Sequence, residues 1–236
     1  MSLSRIAAER GCEMLSGGRD WQAEGTSASF TVRGPWGEYR RLSLALAGRH
    51  QVENAGTAVA ACWVLARRGI AISEDAMRAG LASVTWPGRF EVVHTNPIVV
   101  VDGAHNVDSC ARLAATLAEE YGSRRLILIL GIAGDKEVEQ MVRVIAPLAG
   151  RIIATSSRHP RAAAVERIIE AVRALELPAP EVMRAPGVAE ALTLALAAAG
   201  DRDVICATGS LYVVAEAREA LGLAESDEFE RQLLYR

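Results

Sequence analysis

From Phe90 onward the sequence repeats one pattern, in which a short apolar run, a polar loop and a segment of helical periodicity follow one another. The runs that predict strands are Ile98–Val101, Leu126–Leu130, Arg151–Thr155 and Val204–Ala207, with weaker candidates at Glu91–His94 and Glu181–Met183. The segments that predict helices are Val107–Tyr121, Lys136–Leu148, Ala162–Leu175, Val188–Ala199 and Leu211–Leu221. Apolar strands without polar alternation, separated by helices, indicate a parallel sheet that is covered on both faces. We therefore predict an α/β fold with a doubly wound, mostly parallel sheet.

The first 86 residues follow a different pattern. Ser27–Arg33 and Tyr39–Leu46 alternate like strands, and the GPWGE between them carries the Gly and Pro of a turn, which predicts an antiparallel hairpin. The predicted helices are Ser4–Glu9, Val52–Arg68 and Glu74–Ser83, the last with Ser73 as its N-cap. Pro-Gly in TWPGRFE interrupts both kinds of periodicity, so we place a domain boundary there, between residues 1–86 and 87–236.

Composition limits the classes of partner. The formal net charge of −3 and the absence of basic clusters longer than a pair argue against nucleic-acid and membrane-surface partners. The four cysteines are scattered without C-x-x-C spacing, which is typical of reduced thiols. The N-terminus lacks a signal-peptide pattern, and no apolar run approaches the roughly 18 residues that span a bilayer. We expect a soluble cytoplasmic protein.

Polar loops follow four of the predicted strands. They are DGAHN after Val101, GIAGDK after Leu130, SSRHPR after Thr155 and TGS after Ala207. The carboxyl ends of parallel strands meet at one edge of a sheet, where open α/β sheets bind ligands. Glycines, hydroxyls and basic side chains suit anionic groups such as phosphate or carboxylate. We therefore expect a binding site along this edge.

Asp102 and His105 form the most informative pair in these loops, because an acid and a histidine stand three residues apart at the end of a buried strand. This position favours a functional role. Turn chemistry at Asp102, with His105 as a satisfied partner, is the alternative. Asn106 is interpreted as a helix N-cap. Two ligands make no metal site and no third ligand has suitable spacing, so we predict no metal here.

Several other polar residues have two interpretations each. Lys136 is predicted to open a helix, where a cation is unfavourable unless it serves a bound anion; a solvated lysine is the alternative. Ser210 either presents its hydroxyl to a carboxylate or caps a helix. Arg161 is interpreted as a surface charge rather than a phosphate ligand. His94 and His159 have no evident partners and receive no role.

One amide-rich cluster and one missing motif bear on nucleotide binding. His50, Gln51 and Asn54 stand at the start of a helix, and an N-cap explains one of them but hardly three. An amide there could hydrogen-bond a nucleobase. The sequence contains no G-x-G-x-x-G after the first α/β strand and no G-x-x-x-x-G-K-[ST], so it predicts neither a dinucleotide fold nor a self-contained phosphate loop.

Four separated pieces, together with GDK at 134–136, carry a family resemblance. They are GRHQVENAGTAVAA at 48–61, WPGRFE at 86–91, VVVDGAHN at 99–106 and ATGSLY at 207–212. In this order they resemble the C-terminal half of folylpolyglutamate synthase/dihydrofolate synthase, which belongs to the Mur ligase superfamily. The resemblance implies a Rossmann-like Mur ligase C-terminal (glutamate ligase) domain at 87–236. It also implies a remnant of the central ATPase domain, with the hairpin and helices, at 1–86.

The resemblance implies an ATP-dependent amide ligase with ATP and Mg²⁺ as cofactors. ATP phosphorylates the carboxylate of dihydropteroate or (tetrahydro)folate, and the amine of L-glutamate attacks the acyl phosphate. It implies an adenine contact for Asn54, a phosphate contact for Arg89 and a ribose contact for Asp102. It implies that His105 lies near the acyl phosphate and the incoming glutamate. Lys136 and Ser210 become candidates for the glutamate pocket.

The sequence also departs from the family pattern. It has no glycine-rich phosphate loop of the G-T-N-G-K-G-S kind, and the magnesium ligands and modified lysine that follow that loop are missing too. We therefore expect an active full-length parent but no activity from this chain alone, and we expect the Mg²⁺ ligands in the missing N-terminal region. The Met-Ser-Leu start is typical of an expression leader, with a natural short gene as the alternative. A shortened chain should dock or dimerise to bury its uncovered surface.

Two other functions remain as alternatives. One is the C-terminal part of a Mur ligase that acts on a cell-wall precursor, although the H-Q and G-S-L-Y forms favour folate. The other is a non-catalytic, nucleotide-binding regulatory module. Dihydrofolate synthesis, polyglutamate extension and a combination of both also stay open, as do tail length and oligomeric state.

Overall fold

The computed structural model of the chain describes residues 3–175 and 180–224. It divides into two compact units, Met1–Thr85 and Trp86–Arg236, which we call the N-terminal unit and the C-terminal unit. The elements of the N-terminal unit are α1 (Leu3–Glu9), β1 (Gln22–Thr26), β2 (Ser29–Gly34), β3 (Gly37–Leu42), α2 (Arg49–Arg67) and α3 (Glu74–Ser83).

The N-terminal unit contains a three-stranded antiparallel sheet in the order β1-β2-β3. The predicted hairpin is β2–β3, and β1 adds a strand that the sequence pattern did not predict. The β1 sequence QAEGT has no apolar alternation, and its residues become a strand by pairing with β2 from Gln22↔Arg33 to Thr26↔Ser29. Tertiary pairing therefore decides the conformation of β1.

Helices α2 and α3 supply the rest of the small core of this unit. Its buried side chains are Phe30, Val32, Leu42, Val52, Ala55, Val59 and Met77. Helix α2 begins at Arg49, three residues before the predicted start, with Gly48 at the N-cap. The predicted cap of α3 is confirmed, because the Ala76 N–H donates to Ser73 Oγ at 3.1 Å.

The C-terminal unit alternates strands and helices. Its strands are β4 (Glu91–Thr95), β5 (Ile98–Val101), β6 (Leu126–Leu130), β7 (Ala149–Ala154), β8 (Glu181–Arg184) and β9 (Val204–Thr208). Its helices are α4 (Val107–Tyr121), α5 (Val138–Ile145, followed by a 3₁₀ turn at Ala146–Leu148), α6 (Val165–Arg173), α7 (Val188–Ala198) and α8 (Leu211–Ala220).

These strands form one sheet in the order β4-β5-β9-β6-β7-β8. All neighbours pair in parallel except β4, which runs antiparallel to β5 at one edge. The predicted α/β class with a mostly parallel sheet is therefore confirmed. Every residue of β6 and β9 is buried, which explains why these runs show no polar alternation.

Lys136 does not open a helix, and this expectation was wrong. Helix α5 begins at Val138 with Glu137 at the N-cap. The Lys136 N–H instead donates to Ala133 O at 3.1 Å, which closes a turn. A backbone bridge between Ala133 and Ala162 ties this turn to the loop after β7. The macrodipole argument for Lys136 therefore does not apply.

The described cysteines are free thiols. Cys110 and Cys206 are buried in the C-terminal unit, and burial raises the pKa of the Cys110 thiol to about 12. Within the described residues, no helix combines the length and the apolar character that a membrane crossing needs.

Candidate functional site

The carboxyl edge of the large sheet carries the four polar loops. Strands β5, β9, β6 and β7 are parallel neighbours, so their carboxyl ends lie side by side. Backbone hydrogen bonds continue the ladder past the strand ends: Asp102 N–H to Ala207 O (3.1 Å), Gly131 N–H to Thr208 O (3.2 Å) and Thr155 N–H to Leu130 O (3.0 Å). The loop residues that follow therefore start from a fixed backbone.

The TGS turn after β9 depends on a glycine. Gly209 has φ +102°, and a Cβ at this position would lie 2.5 Å from Gly131 O. The turn therefore passes directly against the loop after β6, and a side chain does not fit. Ser210 follows as the N-cap of α8, where its buried Oγ accepts a hydrogen bond from the Val213 N–H at 3.2 Å. The capping interpretation of Ser210 is confirmed, and its contact with a substrate stays a prediction.

Asp102 is a partly buried carboxylate held by two backbone donors. The Phe90 N–H donates to Oδ2 and the Ala104 N–H to Oδ1, each at 2.9 Å. Burial raises the pKa of the Asp102 carboxyl and outweighs these hydrogen bonds and the charges of Arg89 and His105, which act in the opposite direction. The simple turn interpretation accounts only for the Ala104 contact, because Phe90 lies 12 residues away along the chain.

His105 is exposed, and its ring orientation is fixed by its own loop. Its Nδ1 lies 2.8 Å from Gly103 O, so Nδ1 carries the proton and donates it. In the neutral ring, Nε2 is then the acceptor. The predicted cap at Asn106 is confirmed: the Ser109 N–H donates to Asn106 Oδ1 at 2.8 Å, and Ser109 Oγ accepts from the Asn106 N–H.

Arg89 lies in a turn that rests against the Asp102 loop. The Arg89 N–H donates to Trp86 O at 3.1 Å, and Gly88 O accepts from the Gly103 N–H at 2.9 Å. The Arg89 side chain is exposed. At the β5 end of the edge, the Arg89 guanidinium and the His105 imidazole thus each lie within electrostatic reach of the Asp102 carboxylate.

A second group of polar side chains lies farther along the edge. His159 stacks on Tyr212 of α8 with ring centroids 3.8 Å apart, and Arg161 Nη2 lies 3.5 Å from the Tyr212 hydroxyl. The expectation that His159 has no partner was therefore wrong, because its partner lies 53 residues away along the chain. The basic residues in SSRHPR were the signal that could have identified this group.

Lys136 belongs to the same stretch of the edge. Its Nζ lies 3.6 Å from Asp135 Oδ2. The Gly134 N–H donates to Arg161 O at 2.7 Å, so the loops that carry Lys136 and Arg161 are joined through their backbones. His94 lies elsewhere, and the expectation that it has no partner was also wrong: its Nδ1 lies 2.7 Å from Pro97 O in its own hairpin turn.

Asn54 lies on α2 in the N-terminal unit. It is exposed, and its Nδ2 donates to Gln51 Oε1 at 2.9 Å. The buried Gln51 is thus paired with an amide that still has an acceptor oxygen and a second N–H to offer a ligand.

Arg89 and Asp102 carry side chains that suit the phosphate and hydroxyl groups of a nucleotide. Arg89 suits a phosphate and Asp102 suits a hydroxyl donor, as a nucleotide requires. Among the described residues, no cluster of three or more His, Cys, Asp or Glu could hold a metal ion.

Comparison with known proteins agrees with this architecture. Residues 88–211 match the family described as "Mur ligase, glutamate ligase domain". The chain belongs to the Mur ligase family.

Within that family, several of the similar proteins are folylpolyglutamate synthases. The chain is 37% identical over 194 residues to a probable bifunctional folylpolyglutamate synthase/dihydropteroate synthase of Halobacterium salinarum, and the match covers 82% of this chain and 23% of that protein. It is 34% identical over 207 residues to the dihydrofolate synthase/folylpolyglutamate synthase of Mycobacterium tuberculosis, with 81% and 42% covered. The resemblance in the sequence motifs is thereby confirmed.

A solved structure supports the same relationship. E. coli FolC in complex with DHPP and ADP superposes with a TM-score of 0.83 at 26% identity, and the match covers 93% of this chain and 50% of that chain. The chain thus spans half or less of the length of each of these relatives.

Proposed function

We propose that this chain supplies the glutamate ligase part of an ATP-dependent carboxylate–amine ligase, which adds L-glutamate to dihydropteroate or (tetrahydro)folate. The observation that carries the proposal is that backbone hydrogen bonds hold the segments of Arg89, Asp102 and His105 together at one edge of the sheet. The proposal is supported by the two folylpolyglutamate synthases described above and by the similar structure that contains ADP and DHPP.

The nucleotide is proposed to contact two residues of the C-terminal unit. Asp102 keeps lone pairs beyond those used by the two backbone donors, so its carboxylate can accept hydrogen bonds from ribose hydroxyls. The exposed Arg89 can donate two parallel hydrogen bonds to phosphate oxygens. For the N-terminal unit taken by itself, the adenine contact of Asn54 stays a prediction. ATP thereby activates the substrate, because a carboxylate is a poor electrophile until one of its oxygens becomes part of a leaving group.

His105 is proposed to act beside the acyl phosphate and the incoming amine. The attacking amine must lose protons as the amide forms, and the neutral imidazole offers Nε2 as an acceptor because Nδ1 is bound to Gly103 O. ADP leaves when the γ-phosphoryl group of ATP is transferred to the substrate carboxylate, and attack by the amine then releases inorganic phosphate as the amide forms.

The L-glutamate carboxylates are proposed to bind the second group of polar side chains. Lys136 and Arg161 supply cationic donors from two loops that share a backbone hydrogen bond. Ser210 supplies a hydroxyl whose proton remains available, since Oγ acts as acceptor in the cap. A substrate with two carboxylates matches a pocket with more than one cation.

We propose that the N-terminal unit corresponds to the end of the central ATPase domain of these ligases and that this chain alone does not turn over. The sequence lacks a phosphate loop and the ligands that would hold Mg²⁺ beside it. Mg²⁺ would polarise the transferring phosphate, and it would be held by residues outside this sequence. Dimerisation and a cytoplasmic location stay predictions.

The test combines binding with turnover. ADP titrated into the isotopically labelled chain should shift amide NMR signals around Gly88 and Asp102, and Arg89→Ala should weaken binding about tenfold through loss of a charge-assisted contact. Arg143→Ala, which changes an exposed arginine on α5, is the matched control and should leave ADP binding unchanged.

Glutamate-dependent release of ADP from ATP, with Mg²⁺ and dihydropteroate or tetrahydrofolate present, measures turnover. We expect none from the chain alone. Turnover that Asp102→Ala abolishes would show that the chain holds a complete site and that the inactivity proposal is wrong. An ADP affinity that Arg89→Ala leaves unchanged would contradict the proposed phosphate contact. Tight ADP binding without turnover in the full-length parent would favour a regulatory module.

A further inference from the structure

The segment Trp86–Glu91, which we call the arginine turn, carries the exposed Arg89 between two backbone groups that are held by carboxylates. The Gly88 N–H donates to Glu91 Oε2 at 2.7 Å, and the Phe90 N–H donates to Asp102 Oδ2 at 2.9 Å. The Arg89 N–H donates to Trp86 O at 3.1 Å. Three consecutive peptide N–H groups around Arg89 are therefore bound.

Glu91 is bound at both of its carboxylate oxygens. Its Oε1 accepts a hydrogen bond from Arg218 Nη1 in the last turn of α8. The side chains of Glu91 and Arg218 are only 27% and 19% exposed, so solvent screens this pair less than it screens a surface pair. Glu91 thus connects the arginine turn to a helix that packs on the buried strands.

The backbone of the arginine turn needs such restraint. Phe90 has φ +42°, in the left-handed region that costs a bulky residue energy. Its ring stacks on Tyr121 with centroids 6.1 Å apart. Gly88 has φ +76°, and a Cβ there would lie 2.9 Å from Val214 Cγ1 of α8. A strained turn that lies close to a helix persists only when its surroundings hold it.

We propose that Glu91 is the positioning residue for Arg89: together with Arg218 it fixes the arginine turn on the C-terminal unit, so that the Arg89 guanidinium is presented at a set place beside Asp102. Because the turn is already ordered, little additional conformational entropy is lost when an anion binds. The part of this proposal that concerns phosphate binding rests on the proposed function, and the part that concerns the turn itself does not.

Amide hydrogen exchange tests the turn directly. In Glu91→Gln the side chain can accept from only one of its two donors, and its NH₂ group opposes the other. We expect exchange at the Gly88 amide to become about tenfold faster, with a smaller increase at Phe90, whose acceptor Asp102 is intact. Arg218→Met should give the same pattern, and Arg218→Lys, which keeps the charge, should give a weaker one.

Glu181→Gln is the matched control. It disrupts an Arg151–Glu181 pair between β7 and β8, at the sheet edge opposite β4, and should leave Gly88 exchange unchanged. Thermal unfolding followed by circular dichroism confirms that each variant is folded. Unchanged Gly88 exchange in a folded Glu91→Gln variant would overturn the proposal.

A double-mutant cycle, measured by ADP binding, tests whether Glu91 acts by positioning Arg89 or only supports the fold of the C-terminal unit. We expect Glu91→Gln to weaken ADP binding about fivefold when Arg89 is present and to have no effect in the Arg89→Ala background. Equal losses in both backgrounds would show that Glu91 does not act through Arg89 and would overturn the proposal. If ADP does not bind, or if Arg89→Ala has no effect, the proposed nucleotide contact fails, and Gly88 exchange alone decides whether Glu91 holds the turn.

Discussion

The two units bury their sheets differently. In the C-terminal unit every residue of β6 and β9 is buried, whereas in the N-terminal unit β1 has four exposed residues out of five and β2 alternates. Polar residues in the N-terminal sheet therefore occur along the strands, where Arg33 pairs with Glu24 at 3.0 Å and with Glu38 at 2.8 Å. In the C-terminal sheet the neighbouring strands β5, β9 and β6 contain no charged residue, and charged side chains appear where these strands end.

This difference explains why the proposed site lies at the carboxyl edge of the C-terminal sheet. A sheet covered on both faces leaves its polar residues at the strand ends, and parallel strands gather those ends at one edge. Arg33 in the N-terminal sheet already has its carboxylate partners, so its charge is compensated. Arg89, Lys136 and Arg161 at the carboxyl edge are exposed or half-buried and can meet an anionic ligand.

Two glycines should respond in opposite directions to the same substitution. Gly209→Ala should destabilise the protein by about 3 kcal/mol, because φ is +102° and the new Cβ would approach Gly131 O. Gly80→Ala, inside α3, should stabilise it by about 0.5–1 kcal/mol, because no atom lies within 4 Å of the new Cβ and alanine favours the helix. Urea unfolding measures both changes. A neutral Gly209→Ala would contradict the close approach of the two loops.

Matched core valines should distinguish the two sheets. Val99 and Val32 are both fully buried, the first in the C-terminal core and the second in the N-terminal core. We expect Val99→Ala to cost about 2.5 kcal/mol and Val32→Ala about 1.5 kcal/mol, because neighbours in a sheet covered on both faces relax less into the cavity. Urea unfolding gives the two free energies. Equal costs would show that covering the second face does not stiffen the core.

Asp102 should make the stability of the carboxyl edge depend on pH. Burial raises the pKa of its carboxyl in the folded chain above the ordinary value of 3.8. At pH values between the ordinary pKa and the raised pKa, the folded chain therefore binds more protons than the unfolded chain. The contribution of this group to stability therefore falls as pH rises through that window and is regained as pH falls. Asp102→Asn removes this titration and leaves the other groups in place.

We expect the free energy of unfolding of the wild type, relative to Asp102→Asn, to increase as pH is lowered from about 7 to about 4, by at most about 1.4 kcal/mol per pH unit. Urea titrations of both proteins across this range give the difference. A difference that decreases on acidification would mean that the two backbone hydrogen bonds outweigh the burial of Asp102.

Strands and helices were predicted correctly where the pattern of apolar and polar residues within the segment determines the secondary structure. The apolar runs correctly predicted the bounds of β5 and β6. The bounds of α3 and α4 were also predicted correctly, because periodicity and capping residues act within each segment. β1 was missed because its polar residues become a strand only by pairing with β2. The strand order, with β9 between β5 and β6, depends on long-range packing that periodicity does not encode.

For the site, sequence reasoning identified the residue types better than their contacts. The position of Asp102 and His105 at the end of a buried strand was visible from the run of valines before them. The hydrogen bond from the Phe90 N–H to Asp102 and the stacking of His159 on Tyr212 join distant segments, so no local spacing indicated them. Lys136 was misplaced because a turn, held by the neighbouring loop, delays the start of α5.

The central position of β9 has a consequence for biosynthesis. β9 is the last described strand in chain order, yet it separates β5 from β6 in the sheet. The roughly 100 residues between β5 and β9 take on the order of 5–20 s to leave the ribosome. During that interval β5 and β6 each have an unpaired edge, which invites pairing with other chains. A nascent chain that stalls before Val204 therefore holds two separate sheets, β4–β5 and β6–β7–β8, each with an edge that chaperones must shield from other chains.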